Sequence, residues 1–365
     1  MRFSKYRYEK KNIPPVLFIA IVLFVCSLVL LFISKTSAEY ADFINENISY
    51  YVRRAMALFG DLFPFSFFEL IIILLPIILT VFIIHAVRRF RSGRGIGCFV
   101  MRLSSLVLFI STLYILTLSV GYNTTSLDKR LGLSSVAVNA DTLASTMTLL
   151  RDEVNSLVPM ISYGSDGASV SDEDFNEISG EICKAFDSVN EEYSFPKSFE
   201  SRAKSIYFGN VMSYFRLTGI YTFYTGEANV NSAYPYYDRC FTAAHELSHQ
   251  RGILRENEAN FMAYLVNSHS ENPYLRYSAA LSMYEYVASA LYRTDKERYY
   301  EIVAELSEKA QGDIRASSAV TRKYGDTFLA DVSNFFNDLF LKTNGTAGVV
   351  TYGMVVTLAV AYHNQ

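Results

Sequence analysis

Three long apolar runs, at 14–34, 70–87 and 99–120, dominate the first third of the chain. Each approaches the roughly 20 residues that a helix rising about 1.5 Å per residue needs to cross the hydrocarbon layer, so the pattern predicts three transmembrane helices. The first run is longer than the roughly 7–15-residue apolar core of a secretory signal, and it exits through a weak small-residue site at Ser37-Ala38-Glu39, which predicts a retained anchor. From Tyr122 onward the apolar positions recur at helical spacing instead, over 141–158, 171–193, 201–215, 239–251, 257–270, 275–293, 296–310 and 327–341. Ser171 and Asp174 form a capping pair ahead of the second of these helices, and 164–168 reads as a loop. One segment breaks the helical rhythm. Ile220 to Tyr224 and Ala228 to Val230 are β-prone runs around Thr225-Gly226-Glu227, which predicts a short hairpin. The final apolar stretch, 347–362, falls at or below the roughly 17-residue minimum for a span and is expected to pack on the domain as a helix.

The expected fold class is therefore mainly α, with a membrane domain over 1–121 followed by a mostly helical domain over 122–365 that carries a small β-hairpin. No Pro/Gly/Ser linker, charge run or internal repeat divides the second part. Composition agrees: 51% of residues are hydrophobic and only 19% are charged, against about a quarter charged in ordinary soluble domains. The net charge of −3 conceals an asymmetry, since residues 1–122 carry 13 Lys/Arg against 6 Asp/Glu and the remainder carries 20 against 30. An acidic second half without a basic patch argues against nucleic-acid binding, which needs clustered Lys/Arg to displace phosphate counterions.

Loop charge sets an expected orientation. Arg2, Lys5, Arg7, Lys10 and Lys11 precede the first run, and Arg88, Arg89, Arg91 and Arg94 follow the second, so both segments should be cytoplasmic. The connection over 35–65 is nearly charge-balanced, and three crossings place everything beyond about Gly121 outside the cell membrane. There a Cys183–Cys240 disulfide is chemically permitted, with free buried thiols as the alternative, while Cys26 and Cys98 read as apolar fillers within the spans.

The chemistry lies in Phe241-Thr242-Ala243-Ala244-His245-Glu246-Leu247-Ser248-His249-Gln250-Arg251-Gly252, an HExxH pattern. On a helix His245 and His249 stand one turn apart on one face, about 6 Å along the axis, where two imidazoles can grip one Zn²⁺. Glu246 projects about 100° away, placed to take a proton from water rather than to bind the metal. Gly252 can end the helix and turn the chain back, and a new helix beginning near Arg255-Glu256-Asn257-Glu258 would bring carboxylates past the histidines. Glu258 is preferred over Glu256 as third ligand because Ala259, Phe261, Met262 and Leu265 suggest the inward face, although one helical offset leaves both open. Tyr234, Tyr236, Tyr237 and Arg239 are weaker candidates for stabilising an oxyanion, and His269 reads as a solvated or core residue.

Over His245 to Phe261 the chain resembles gluzincin-type zinc metallopeptidases, which implies a zincin-like fold and Glu258 as third ligand. It is also similar to a bacterial family of multi-spanning membrane proteins of unknown function, which share the TAAHELSHQ-G-xxx-E-x-EANF pattern and the upstream segment Thr225-Gly226-Glu227-Ala228-Asn229-Val230-Asn231. The tail Thr351-Tyr352-Gly353-Met354-Val355-Val356-Thr357-Leu358 lacks the charged positions common there. The expectation is a multi-pass membrane zinc metallopeptidase with His245, His249 and Glu258 on the metal and Glu246 as catalytic base. Its partners would be the lipid bilayer and a protein or peptide substrate at the extracytoplasmic face. The alternative is a non-catalytic zinc-binding receptor or envelope scaffold that retains the peptidase-like fold.

Overall fold

The computed structural model describes residues 14–92, 96–165, 167–325, 327–345 and 354–365. The basic residues at 2–11, Arg94 and the first part of the 347–362 stretch lie outside them. The three apolar runs form α1 (Pro15–Ser34), α4 (Phe67–Ser92) and α5 (Ile96–Thr117), each long and apolar enough to cross a membrane. Helix α5 continues as a 3₁₀ turn over Ser119–Asn123. Helix α1 packs along α5, whereas α4 exposes its apolar side chains along its whole length. A surface of that kind is stable only where something other than water covers it.

The stretch between the first two runs is itself helical: α2 (Ala38–Ile44), a π-helical turn over Asn45–Ser49 and α3 (Tyr50–Asp61). Its polar composition masks what it does. Asn45 donates from Nδ2 to the Gly252 carbonyl (3.2 Å), and the fully buried Arg53 donates from Nη2 to the Asn45 carbonyl (3.0 Å). The connection between spans thereby packs against the end of the HExxH helix.

Beyond the spans come α6 (Leu127–Arg130), α7 (Ala140–Leu157), β1 (Ser162–Tyr163), β2 (Ser169–Val170), α8 (Phe175–Tyr193), β3 (Lys204–Ile206) and α9 (Gly209–Tyr214). Then follow β4 (Gly219–Thr222), β5 (Glu227–Asn231), α10 (Tyr236–Gln250), α11 (Glu256–Ser268), α12 (Pro273–Thr294), α13 (Lys296–Ala304), α14 (Glu308–Tyr324), α15 (Phe328–Thr343) and α16 (Val355–His363). Helix α8 opens at Asp174 through a capping box with Glu177, three residues later than Ser171 would have placed it. The helix expected over 296–310 divides, because Ser307 starts α14. The helix expected over 201–215 is replaced in its first half by β3, since pairing with β5 satisfies its backbone outside a helix.

The hairpin forms as β4 and β5, paired antiparallel from Gly219 opposite Val230 to Thr222 opposite Glu227. Strand β3 adds in parallel on the other side, giving the order β3-β5-β4 and leaving β4 at an edge. Helices α10, α11 and α12 pack on one another, with α7, α8 and α16 around them, through buried side chains including Leu247, Phe261, Tyr277 and Met283. The described part of the tail, α16, buries Val355, Val356, Leu358, Ala359, Val360 and Ala361 in that core. Nine residues cannot cross a bilayer, and the expected packed helix is what this part forms.

Cys183 and Cys240 are both free and buried, so the permitted disulfide is not formed. The Cys183 thiol meets the Ser201 carbonyl (3.1 Å) and the Arg251 guanidinium (3.5 Å).

Candidate metal centre

Helix α10 begins immediately after Pro235 and presents successive inward positions at Asp238, Thr242, His245 and His249. The His245 and His249 rings lie 4.6 Å apart between centroids. After His249 the chain turns at Gly252, whose φ of +98° lies in the left-handed region that favours glycine. The space is closed as well, for a Cβ there would come within 2.9 Å of both Arg53 Cζ and Asn45 Nδ2. This turn delivers α11 back across the histidines.

The carboxylate that arrives belongs to Glu256. One of its oxygens is 3.4 Å from His245 Nε2 and the other 3.7 Å from His249 Nε2, and a set of ligand atoms from the three residues lies within 4.8 Å of one another. Glu258, expected as the third ligand, does not join them. Residues two apart on a helix diverge by about 200°, so only one of the two carboxylates can face the histidines. Glu258 instead accepts from Arg255 Nη1 (2.7 Å) and from the Leu127 backbone amide (3.0 Å). Arg255 donates in turn to the Tyr122 and Thr124 carbonyls, so this pair ties α11 to the segment that leaves α5.

Two imidazoles and one carboxylate are a donor set suited to zinc with an open fourth position. Orientation supports the fit: His249 Nδ1 is 2.8 Å from the Ile253 carbonyl, which fixes the ring with Nε2 toward the cluster. The three groups are also coupled electrostatically. Burial disfavours a charged His249, but the Glu256 carboxylate outweighs it and raises the imidazole to about 9. Burial likewise opposes charge on Glu256, and the two histidines overcome it, holding the carboxyl well below its ordinary range. A divalent cation answers the same negative carboxylate without protons on the rings.

Glu246 is 5% exposed and lines the same cleft. Burial raises its pKa, opposed by the neighbouring histidines and by the Tyr221 backbone amide. The edge strand β4 runs close by. Gly219, Ile220 and Tyr221 line the cleft, which has a volume of about 870 Å³.

The weaker candidates lie elsewhere. Tyr236 donates to the Glu173 carbonyl, Tyr237 to Glu285, and Arg239 to Ser205 Oγ while lying over Phe175. His269 pairs with Glu192. Sequence reasoning missed Gly219, Asp238, Tyr221 and Glu285, all of which line the cleft. Of these only Asp238 carried a readable signal, because it sits seven residues before His245 on the same helical face.

Over residues 40–360 the chain matches a family described as a protein of unknown function (DUF3810), and it belongs to that family. No curated protein and no solved structure matches it.

Proposed function

We propose that this family member is a membrane-anchored zinc metallopeptidase. His245, His249 and Glu256 would hold the metal, and Glu246 would serve as general base and then general acid. The observation that carries the reading is the convergence of Glu256 on both Nε2 atoms beside a buried Glu246, at the wall of an open cleft. Zinc bound there would supply Lewis-acid polarisation of the scissile carbonyl and acidify water at the site. Glu246 would take the proton of the attacking water and return it to the leaving amine, a role suited to a carboxyl whose pKa burial has raised. The free edge of β4 offers backbone groups on which an extended substrate can add as a strand.

Two features support the proposed orientation. Asn123 donates to Ser34 Oγ (3.2 Å), and the Phe67 amide donates to Glu227 (2.9 Å), so the domain-facing ends of α1, α4 and α5 meet at one side. Arg89 and Arg91 stand in the last turn of α4, at its far end. Under the positive-inside rule the cleft is extracytoplasmic and its substrates are envelope or secreted proteins. A phosphatase reporter fused after Asp128 should be active and one fused near Gly93 silent; the reverse pattern would move the site to the cytoplasm.

Metal analysis and peptide cleavage test the chemistry. Purified wild type should contain one zinc per chain under non-chelating conditions, and His245→Ala should lose it. Glu246→Gln should keep zinc and abolish cleavage. A protein whose cellular phenotype survives Glu246→Gln unchanged would instead be a binding scaffold.

A further inference from the structure

Beyond the metal cluster the same cleft is lined by residues of α10, α11 and α12 on which several buried polar atoms lack partners. Asp238 and Glu285 line it, and neither carboxyl has an ion-pair partner among the described residues. Asp238 Oδ2 is buried without a hydrogen bond. So are the Ser282 hydroxyl and the Asn260 side-chain amide nitrogen, on residues only 6% and 3% exposed that line the same space. Orphaned buried polar groups are uncommon because each costs a desolvation penalty, and three around one open pocket indicate a ligand that supplies the missing partners.

The chemistry of that ligand follows from the donors and acceptors. Glu285 already accepts one bond, from Tyr237 Oη (2.9 Å), and the Asn260 carbonyl oxygen accepts from Tyr286 Oη (3.2 Å). What is left over is acceptor capacity on two carboxyls and the Ser282 hydroxyl, which a cationic group can meet, and one donor, the Asn260 amide nitrogen, which a backbone carbonyl of a bound peptide can meet. Arg216, the cation at the cleft wall, donates from Nε to the Gly325 carbonyl. Burial, opposed by a hydrogen bond from Ser317 and aided by the nearby Asp313 carboxyl, raises Asp238 to about 7, and burial with the nearby Asp238 carboxyl raises Glu285 to about 8. Two carboxyls that resist ionisation would ionise beside a cation.

We propose that this pocket is a specificity subsite for a Lys or Arg side chain of the peptide substrate. The inference rests on the peptidase reading above. Position selects a side chain over a free amino terminus: Asp238 stands seven residues before His245 on one helix, about 10 Å along the axis. A terminal amine on the residue bearing the scissile carbonyl would lie much closer to the metal. In an extended strand advancing about 3.3 Å per residue, a long side chain one or two residues from the scissile bond reaches that depth.

The test uses N-acetylated, C-amidated peptides that differ only in carrying Lys, Arg, norleucine or Glu at each position within two residues of the cleaved bond. The zinc-loaded full chain in detergent should prefer Lys or Arg over norleucine at one position by about 10-fold or more in kcat/KM, and reject Glu there. Asp238→Asn and Glu285→Gln, shown to retain zinc, should move the Lys-to-norleucine ratio toward one, and Asp238→Glu should restore part of it. A misfolded variant lowers both substrates and leaves the ratio alone. Cleavage without preference for a basic residue, or a ratio unmoved in both zinc-loaded variants, overturns the subsite while leaving the peptidase reading intact. Failure of wild type to cleave any peptide overturns both.

Discussion

Gly219 in the edge strand lies directly against Glu246: a Cβ built on Gly219 would stand 2.6 Å from a Glu246 carboxylate oxygen and 2.5 Å from Thr242 Cγ2. Only a residue without a side chain lets β4 approach α10 this closely. Gly219→Ala is expected to fold, because the atoms it meets belong to side chains that can move. The atom that moves is the one assigned to proton transfer. Zinc content should stay at the wild-type level while kcat falls by about 100-fold or more, the scale on which a misplacement of about 1 Å acts. Full activity in this variant would remove Glu246 from the chemistry.

The two glutamates at the start of α11 should separate cleanly. Glu256→Gln is expected to lose zinc, measured by metal analysis after gel filtration, because it removes the carboxylate that faces both Nε2 atoms. Glu258→Gln should keep zinc and lower stability instead, since it leaves Arg255 without its charged partner and weakens the tie to Leu127. Arg255 is part-exposed and keeps the Tyr122 and Thr124 carbonyls, so the loss should be about 1.5–3 kcal/mol, the scale of a hydrogen bond to a charged group. The opposite assignment of zinc loss would return Glu258 to the ligand position.

Glu227 links the sheet to a membrane helix. Its two carboxylate oxygens accept the Phe67 and Phe68 amides (2.9 and 3.0 Å) at the positive end of α4, and Lys204 Nζ lies 2.8 Å away. Ser66 caps the same helix end and donates to Asn229 Oδ1 (2.6 Å). Glu227→Ala should free the start of α4 and leave Lys204 with only the Gly60 and Phe65 carbonyls, lowering stability by about 1.5–3 kcal/mol, the scale of a hydrogen bond to a charged group. Proteolysis in detergent micelles should then cut the segment between α3 and α4, which stays protected in wild type.

Stability should depend on pH through Asp238 and Glu285. Both pKa values are higher folded than unfolded, about 7 against 3.8 and about 8 against 4.5. Between those limits the unfolded chain has released protons that the folded chain retains. Stability from these groups is therefore complete below about pH 4 and is lost as pH rises toward 8, by up to about 1.4 kcal/mol per pH unit for each group. Thermal unfolding of wild type minus that of the Asp238→Asn/Glu285→Gln double variant should show this decline, with the contribution of the metal cluster cancelling. A flat difference would mean that the two carboxyls are ionised in the folded protein.

Patterns carried by consecutive residues were largely legible from the chain alone. Apolar runs of spanning length, the β-prone hairpin and the one-turn spacing of His245 and His249 depend on local geometry and appear where expected, as do most of the periodic helices; the expected helices over 201–215 and 296–310 do not form as such, because β3 pairs with β5 and α14 starts after Ser307. Which glutamate joins the two histidines was not legible, because the choice between Glu256 and Glu258 turns on the rotation of α11. That rotation is set by contacts from distant parts of the chain: the Leu127 amide and the Tyr122 and Thr124 carbonyls hold Glu258 and Arg255 away from the cleft. The helical segment over 38–61 was hidden for a similar reason, since its polar residues serve a buried contact with the Gly252 turn. Asp238 and Glu285 lie 47 residues apart on separate helices, and no periodicity announces that they meet. Sequence by itself determined the long apolar helices, most of the periodic ones, the hairpin and which residues could do chemistry. Only the tertiary structure decided which of them face one another, because burial, the loss of water and the satisfaction of buried polar groups are properties of the packed chain.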